Sequence, residues 1–237
     1  MQTIYFIRHG QANFAGGPEG YDKLSPIGKE QAVLIKDYFA KENIKPDFIY
    51  TGNLRRHHET CKPLVDNFNY PEDKIIKTEQ LDEFTPTLWK SLAMSLAAKD
   101  EKLAHELDIY QRKVQSNQKR AMIYFFKLTA ILLTKWKEGL TPEGEISYIE
   151  FINRINDFIQ MISNSHNSGH IFIFSSGTPI SIFISKLLNM PIENEMDWMY
   201  SLVNTSISCF KGKNGDFKPV YINATPHIID NNKRSMV

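Results

Sequence analysis

The side chains best suited to chemistry in this sequence are His9 with Arg8 before it, and the Ser176-Gly177 pair. Together they suit a tetrahedral anion. A guanidinium presents a planar fork that pairs two phosphate oxygens at once, and Arg8 offers one. An imidazole such as His9 can act as a nucleophile or move a proton near neutral pH. Ser176 and Gly177 stand where an apolar run gives way to a segment with Pro179 in its first helical turn, and the positive end of a helix attracts anions. Each signal alone is weak, because an Arg-His pair after a strand or a Ser-Gly-Thr turn is commonly structural.

These residues can meet only if the chain brings several strand ends together. Residues 3–7 are β-branched and aromatic and end abruptly at Arg8-His9-Gly10, which reads as a buried strand and then a loop. Residues 11–25 are rich in Gly and Pro and read as surface loop. Ser25 is an expected N-cap with Pro26 at the first helical position, opening a helix to about residue 43 with Ala32, Ile35, Tyr38 and Phe39 on one face. Further strands are expected at 47–50, 74–77 and 170–174, with helices at 53–65, 145–165 and 179–189. In the 145–165 helix, Ile149, Ile152, Ile155 and Ile159 are expected to form the apolar stripe. Two late strands, 206–211 and 217–222, flank Asn214-Gly215, a hairpin signal. Residues 85–139 read as helical throughout. The alternation predicts a single α/β domain with a mostly parallel central sheet flanked by helices, and a helical cap insertion at about 85–139. In such a sheet, ligands bind beyond the carboxyl ends of the strands.

Composition narrows the classes. The chain has 237 residues, 42% of them hydrophobic and 23% charged, as in an ordinary soluble globular protein. A formal net charge of +1 argues against broad capture of nucleic acid or acidic membrane, so an anion must be held locally. Cys61 and Cys209 make neither a disulfide framework nor a zinc site, which suits a cytoplasmic setting. The amino-terminal apolar run stops at Arg8, too early for a secretory signal. The most apolar stretch, 121–133, falls short of the ~20 residues a membrane span needs. It is a candidate homodimer face.

The motifs in order are similar to those of the histidine phosphatase (phosphoglycerate-mutase-like) superfamily. Ile7-Arg8-His9-Gly10-Gln11-Ala12 resembles its arginine-histidine-glycine signature, and Tyr21-Asp22-Lys23-Leu24-Ser25 with Gly28 and Gln31-Ala32 its first helix opening. Thr51-Gly52-Asn53-Leu54-Arg55-Arg56, with Thr60 one turn on, resembles the stretch bearing the second phosphate-binding arginine, Arg56 by register. Leu81-Asp82-Glu83 resembles the motif whose glutamate donates the proton, and Gly144-Glu145 and Arg154 fit the segment after the insertion. The resemblance implies that His9 is phosphorylated, that Arg8, Arg56, Ser176 and Gly177 bind the phosphoryl group, and that Glu83 serves as acid and base. No cofactor or metal is implied, and no metal-ligand spacing is visible.

The sequence departs from that pattern at two places. A second histidine is expected in a serine-histidine-glycine sequence, yet Ser175-Ser176-Gly177 stands there, as in a subgroup with serine at this position. A loop asparagine of the mutases would fall near Ala15 and is absent. Losing a charge-assisted donor predicts a rate lowered about tenfold to a hundredfold, so Ser176→His is expected to raise it. His57, beside Arg56, is an auxiliary candidate, although a solvated helix face is the commoner setting for such a residue. His58 reads as a surface residue, His227 as structural, and Trp89, Trp136 and Phe125 as core. The leading expectation is a phosphoric monoester hydrolase acting on a phosphorylated small molecule or protein. A catalytically weak phosphate sensor would keep the arginines and His9 but have no need of Glu83. A phosphoglycerate mutase is disfavoured by the missing asparagine. Fold and reaction class do not choose the leaving group.

Overall fold

The computed structural model describes residues 1–13, 22–116, 121–191, 194 and 196–236. Much of the expected 11–25 loop, including Ala15 and Tyr21, lies outside them. Contacts divide the chain into two units, Met1–Glu83 with Ile155–Val237, and Phe84–Arg154.

The first unit is built on a six-stranded sheet of order β3-β2-β4-β1-β5-β6. Its strands are β1 (Gln2–Arg8), β2 (Phe48–Thr51), β3 (Ile76–Lys77), β4 (Gly169–Ser175), β5 (Ile207–Lys213) and β6 (Asp216–Ala224). β1 pairs parallel with β4 and antiparallel with β5, and β4, β2 and β3 run parallel. Only β5 opposes the common direction, because Asn214 (φ 55°) and Gly215 (φ 84°) fold β5 back on β6 in a two-residue hairpin turn. The expected strand at 74–77 shrinks to Ile76–Lys77, since residues 72–74 form a 3-10 turn.

Helices cover both faces. α1 (Pro26–Lys41) starts as expected, with Ser25 Oγ accepting the N–H of Gly28 at 3.0 Å and Pro26 in the first turn. α2 (Arg55–Phe68) runs on past Pro63 to a left-handed Asn69. These two helices pack Ile35, Phe39, Leu64 and Val65 against Tyr5, Ile7, Ile49, Phe172 and Phe174. On the other side, Phe6 stacks on Phe183 at 4.8 Å, and Phe158 meets Phe183 at 5.7 Å. Phe183 belongs to α7 (Gly177–Leu187), whose first nine residues are all buried. Alternation places residues 5 and 7 on one face and 6 on the other, so a strand covered on both sides must be apolar at nearly every position.

The second unit holds α3 (Pro86–Ala97), α4 (Glu101–Gln115), α5 (Ala121–Lys137) and the start of α6 (Tyr148–Ser165). Thr85 and Asp100 cap α3 and α4, which is why the helical run breaks between them. Trp136 is fully buried, with Tyr148 and Phe151 edge-on to its ring at 5.3 and 5.2 Å. Trp89 stacks on Phe125 and donates to Thr129 Oγ1 at 2.8 Å. In α6 the buried positions are Tyr148, Phe151, Ile152, Ile155, Phe158 and Ile162, while Ile149 is 69% exposed. Ile152 and Ile155 of the expected stripe are buried, whereas Ile149 and the half-buried Ile159 give way to Phe151 and Phe158, because the aromatic residues, with more area to bury, set the inward face. Among the described residues, no helix is long and apolar enough to cross a membrane.

Candidate active site

The carboxyl end of β1 delivers His9. Its N–H donates to Ser175 O at 3.0 Å, and its carbonyl accepts from Asn204 Nδ2 at 3.2 Å and from the Thr205 N–H at 3.3 Å. The backbone is thus pinned between β4 and the turn before β5, where Thr205 takes a left-handed φ of 60°. The ring's Nδ1 lies 2.7 Å from Gly10 O. A carbonyl can only accept, so Nδ1 carries the proton. Burial, then the charges of Arg56 and Arg8, then His57 hold the His9 pKa well below its ordinary value. The ring is therefore neutral, with its lone pair on Nε2. Gly10 permits this geometry, since a Cβ there would stand 2.6 Å from Gly28 O. Its N–H donates to Thr60 Oγ1 at 3.0 Å, linking the loop to α2.

The two arginines approach from different elements. Arg8, the last residue of β1, donates from Nη1 to Leu202 O and, at 2.8 Å, to Met236 O. Its Nε would be 3.7 Å from a Cβ placed on Gly177. Arg56 stands in the first turn of α2 and is buried. Its Nη2 donates to Ser176 Oγ at 3.3 Å, and Nη1 lies 3.6 Å from Asp22 Oδ1. Asp22 also accepts the Arg55 N–H at 3.1 Å, so one carboxylate steadies both the start of α2 and the guanidinium.

β4 ends at Ser175, whose Oγ donates to Leu81 O at 2.6 Å and so fastens the segment leading to Glu83. Ser176 is the N-cap of α7 by backbone conformation but makes no side-chain cap bond. Its hydroxyl turns instead toward Arg56 and His57. The carboxyl group of Glu83 accepts the Thr178 N–H on Oε2 at 3.1 Å, which anchors it at the amino end of α7. Arg8, His9, Arg56, Ser176, Gly177 and Glu83 all stand around the carboxyl ends of β1 and β4.

His57 corrects the expectation of a solvated helix residue. It is fully buried, its Nε2 is 2.8 Å from Ser176 Oγ, and its ring centroid is 5.8 Å from that of His9. Burial first, and then the charge of Arg56, lower its pKa well below the ordinary value. The physical reason is that α2 starts at Arg55, so residues 56 and 57 both fall in the first turn at the sheet's edge. Gly52 makes the space, since a Cβ there would meet His57 Nδ1 at 2.3 Å and Asp82 Oδ1 at 2.4 Å. His58 is half-buried, and His227 is buried with Nε2 2.9 Å from Thr205 Oγ1. Asp22, Asp82, Asn204 and Thr205 were given no role by the sequence, although Asp22 and Asp82 lie inside motifs quoted there. Their roles rest on contacts with Arg56, His57 and the His9 carbonyl, which are distant in sequence and leave no local signal.

A model of the histidine phosphatase superfamily (branch 1) matches residues 4–122 and 126–225. Comparison by sequence with curated proteins gives no match. Among solved structures, a phosphoserine phosphatase mutant from Entamoeba histolytica, in complex with phosphoserine, aligns at a TM-score of 0.60 and 17% identity. That alignment covers 97% of this chain and all of the other. The alpha-ribazole phosphatase of Shigella flexneri aligns at 0.64 and 17%, covering 94% and 96% of the two chains. A mycobacterial glucosyl-3-phosphoglycerate phosphatase aligns at 0.58 and 17%, covering 95% and 100%. At these identities the likeness concerns the fold.

Proposed function

The chain belongs to the histidine phosphatase superfamily, branch 1, and from that premise we propose that it is a phosphoric monoester hydrolase working through a phosphohistidine on His9. The carrying observation is the Nδ1–Gly10 bond of 2.7 Å, which leaves the lone pair of a neutral ring on Nε2, under the charges of Arg56 and Arg8. Nε2 attacks phosphorus, and the bond to the leaving oxygen breaks as Glu83 gives that oxygen its proton. Glu83, now a carboxylate, takes a proton from water, whose oxygen attacks the phosphohistidine. Phosphate leaves and His9 regains its lone pair. Arg8 and Arg56 neutralise the phosphoryl oxygens throughout, the contribution that dominates phosphoryl transfer. A phosphate sensor would have the same arginines without use for a proton donor, and the anchoring of Glu83 at α7 supports the enzyme. The three phosphatases above are named for unlike substrates, so no leaving group is assigned.

The test is a panel of phosphoesters, with p-nitrophenyl phosphate as reference, assayed on the full chain and on His9→Ala. Acid-labile, base-stable phosphoprotein is expected in the parent and absent from the variant. Turnover that survives His9→Ala would falsify the mechanism. Phosphate binding without turnover of any ester would return the sensor reading.

A further inference from the structure

The anion site contains a second imidazole, brought in by α2. We propose that His57 is a positioning residue for phosphoryl transfer, donating from Nε2 to Ser176 Oγ and thereby turning the Ser176 hydroxyl proton onto a phosphoryl oxygen. The inference rests on His9 being the nucleophile, as proposed above.

The argument is one of donors and acceptors. A serine hydroxyl offers one proton and two lone pairs. Arg56 Nη2, 3.3 Å away, can only donate and so fills one lone pair. If the hydroxyl gave its proton to His57 Nε2, at 2.8 Å, it would present its other lone pair to an anion and repel it. If Nε2 donates, both lone pairs are filled and only the O–H remains to offer, which is what a phosphoryl oxygen accepts. An anion in the site therefore selects the Nε2–H form. Behind the ring, Asp82 Oδ1 stands 3.8 Å from Nδ1 and accepts the Asn53 N–H at 2.6 Å. That fixed carboxylate compensates a second ring proton on Nδ1 once the anion is in front. His57 is fully buried, so its ring cannot turn to solvent instead; Ser176 is equally covered, so an anion must displace what covers it to meet its hydroxyl. The same packing leads to a different expectation for Ser176→His alone: with His57 Nε2 2.8 Å from Ser176 Oγ, an imidazole at 176 would compete with His57 for the same space.

The experiment measures kcat and KM with p-nitrophenyl phosphate on the full chain, with circular dichroism to verify folding. His57→Ala is expected to lower kcat about tenfold to a hundredfold with KM changed less, as loss of a transition-state donor requires. His57→Gln, whose amide still donates, should retain most of the rate. Ser176→His alone should be slower than the parent, whereas His57→Ala with Ser176→His should exceed His57→Ala at least about tenfold, because one imidazole again faces the anion. If His57→Ala misfolds, His57→Gln and the double variant decide. A His57→Ala protein within twofold of the parent, or a folded double variant no better than His57→Ala, overturns the proposal while His9→Ala remains inactive. Activity that survives His9→Ala overturns the nucleophile assignment instead.

Discussion

The rings of His9 and His57 stand 5.8 Å apart between centroids and are tilted by 35°. Both are buried beside Arg56, and each has its pKa pushed well below the ordinary value, chiefly by burial. Two imidazoles this close to guanidinium groups cannot both be charged in an empty site.

It follows that His9 stays neutral as the solution is acidified. Its depressed pKa keeps the lone pair on Nε2 below pH 6.5, where an ordinary histidine would already be protonated. Nitrogen-15 NMR of the imidazoles should find His9 still as the Nδ1–H tautomer at about pH 6.5, the midpoint of an ordinary histidine. A titration midpoint near 6.5 would contradict the burial and the Gly10 bond together.

Acid should unfold this protein steeply. His9 and His57 are depressed, and burial lowers His227 to about 4. Their unfolded forms take up protons from about pH 6.5 downward while the folded forms do not. The stabilisation is therefore complete above that pH and lost as pH falls through the interval. Each group contributes a slope of about 1.4 kcal/mol per pH unit there. Urea unfolding at pH 7, 6 and 5 should trace the combined slope. His227→Gln, still able to bond Thr205, should reduce it by about one proton.

Gly52→Ala is expected to damage stability and rate together. Its Cβ would meet His57 Nδ1 and Asp82 Oδ1 far inside contact distance, at 2.3 and 2.4 Å. Overpacking of this kind costs about 1–3 kcal/mol. Thermal denaturation gives the first effect, and turnover under conditions where the variant is fully folded gives the second. An unchanged melting temperature would show that the two side chains can yield.

Arg56→Lys should be far from conservative. Arg56 spans Asp22 at 3.6 Å with one nitrogen and Ser176 at 3.3 Å with the other, and an ammonium cannot span both with the same planar fork. A loss of about tenfold to a hundredfold in kcat/KM is expected, with weaker inhibition by inorganic phosphate. Equal kinetics would remove Arg56 from the phosphoryl contacts.

Much of the sheet could be read from residues. β1 and β4 are apolar at nearly every position because both faces are covered, and Asn214-Gly215 announced its hairpin. The Ser25-Pro26 start of α1 was legible for the same reason, local chemistry at a boundary. What eluded the sequence depends on rotation and on distance along the chain. Ile149 and Phe151 differ by two positions, yet one faces solvent and the other the core, and helical spacing alone did not say which. His57 was an auxiliary candidate by its place beside Arg56, but its burial among Gly52, Asp82 and Ser176 could not be read from that place. Asn204 holds the His9 carbonyl from the far side of the sequence, a contact that tertiary packing alone creates.

Arg8's bond to the Met236 carbonyl, at 2.8 Å, gives the two ends of the chain unequal standing. Met1 lies at the opposite end of β1, where its carbonyl accepts the Gly169 N–H at 3.3 Å. An affinity handle added ahead of Met1 would leave the sheet at the edge remote from His9. The same handle added after Val237 would begin within two residues of a carbonyl that Arg8 already holds. Kinetic work therefore calls for amino-terminal fusions, and a carboxyl-terminal fusion is itself an alteration of the guanidinium's surroundings.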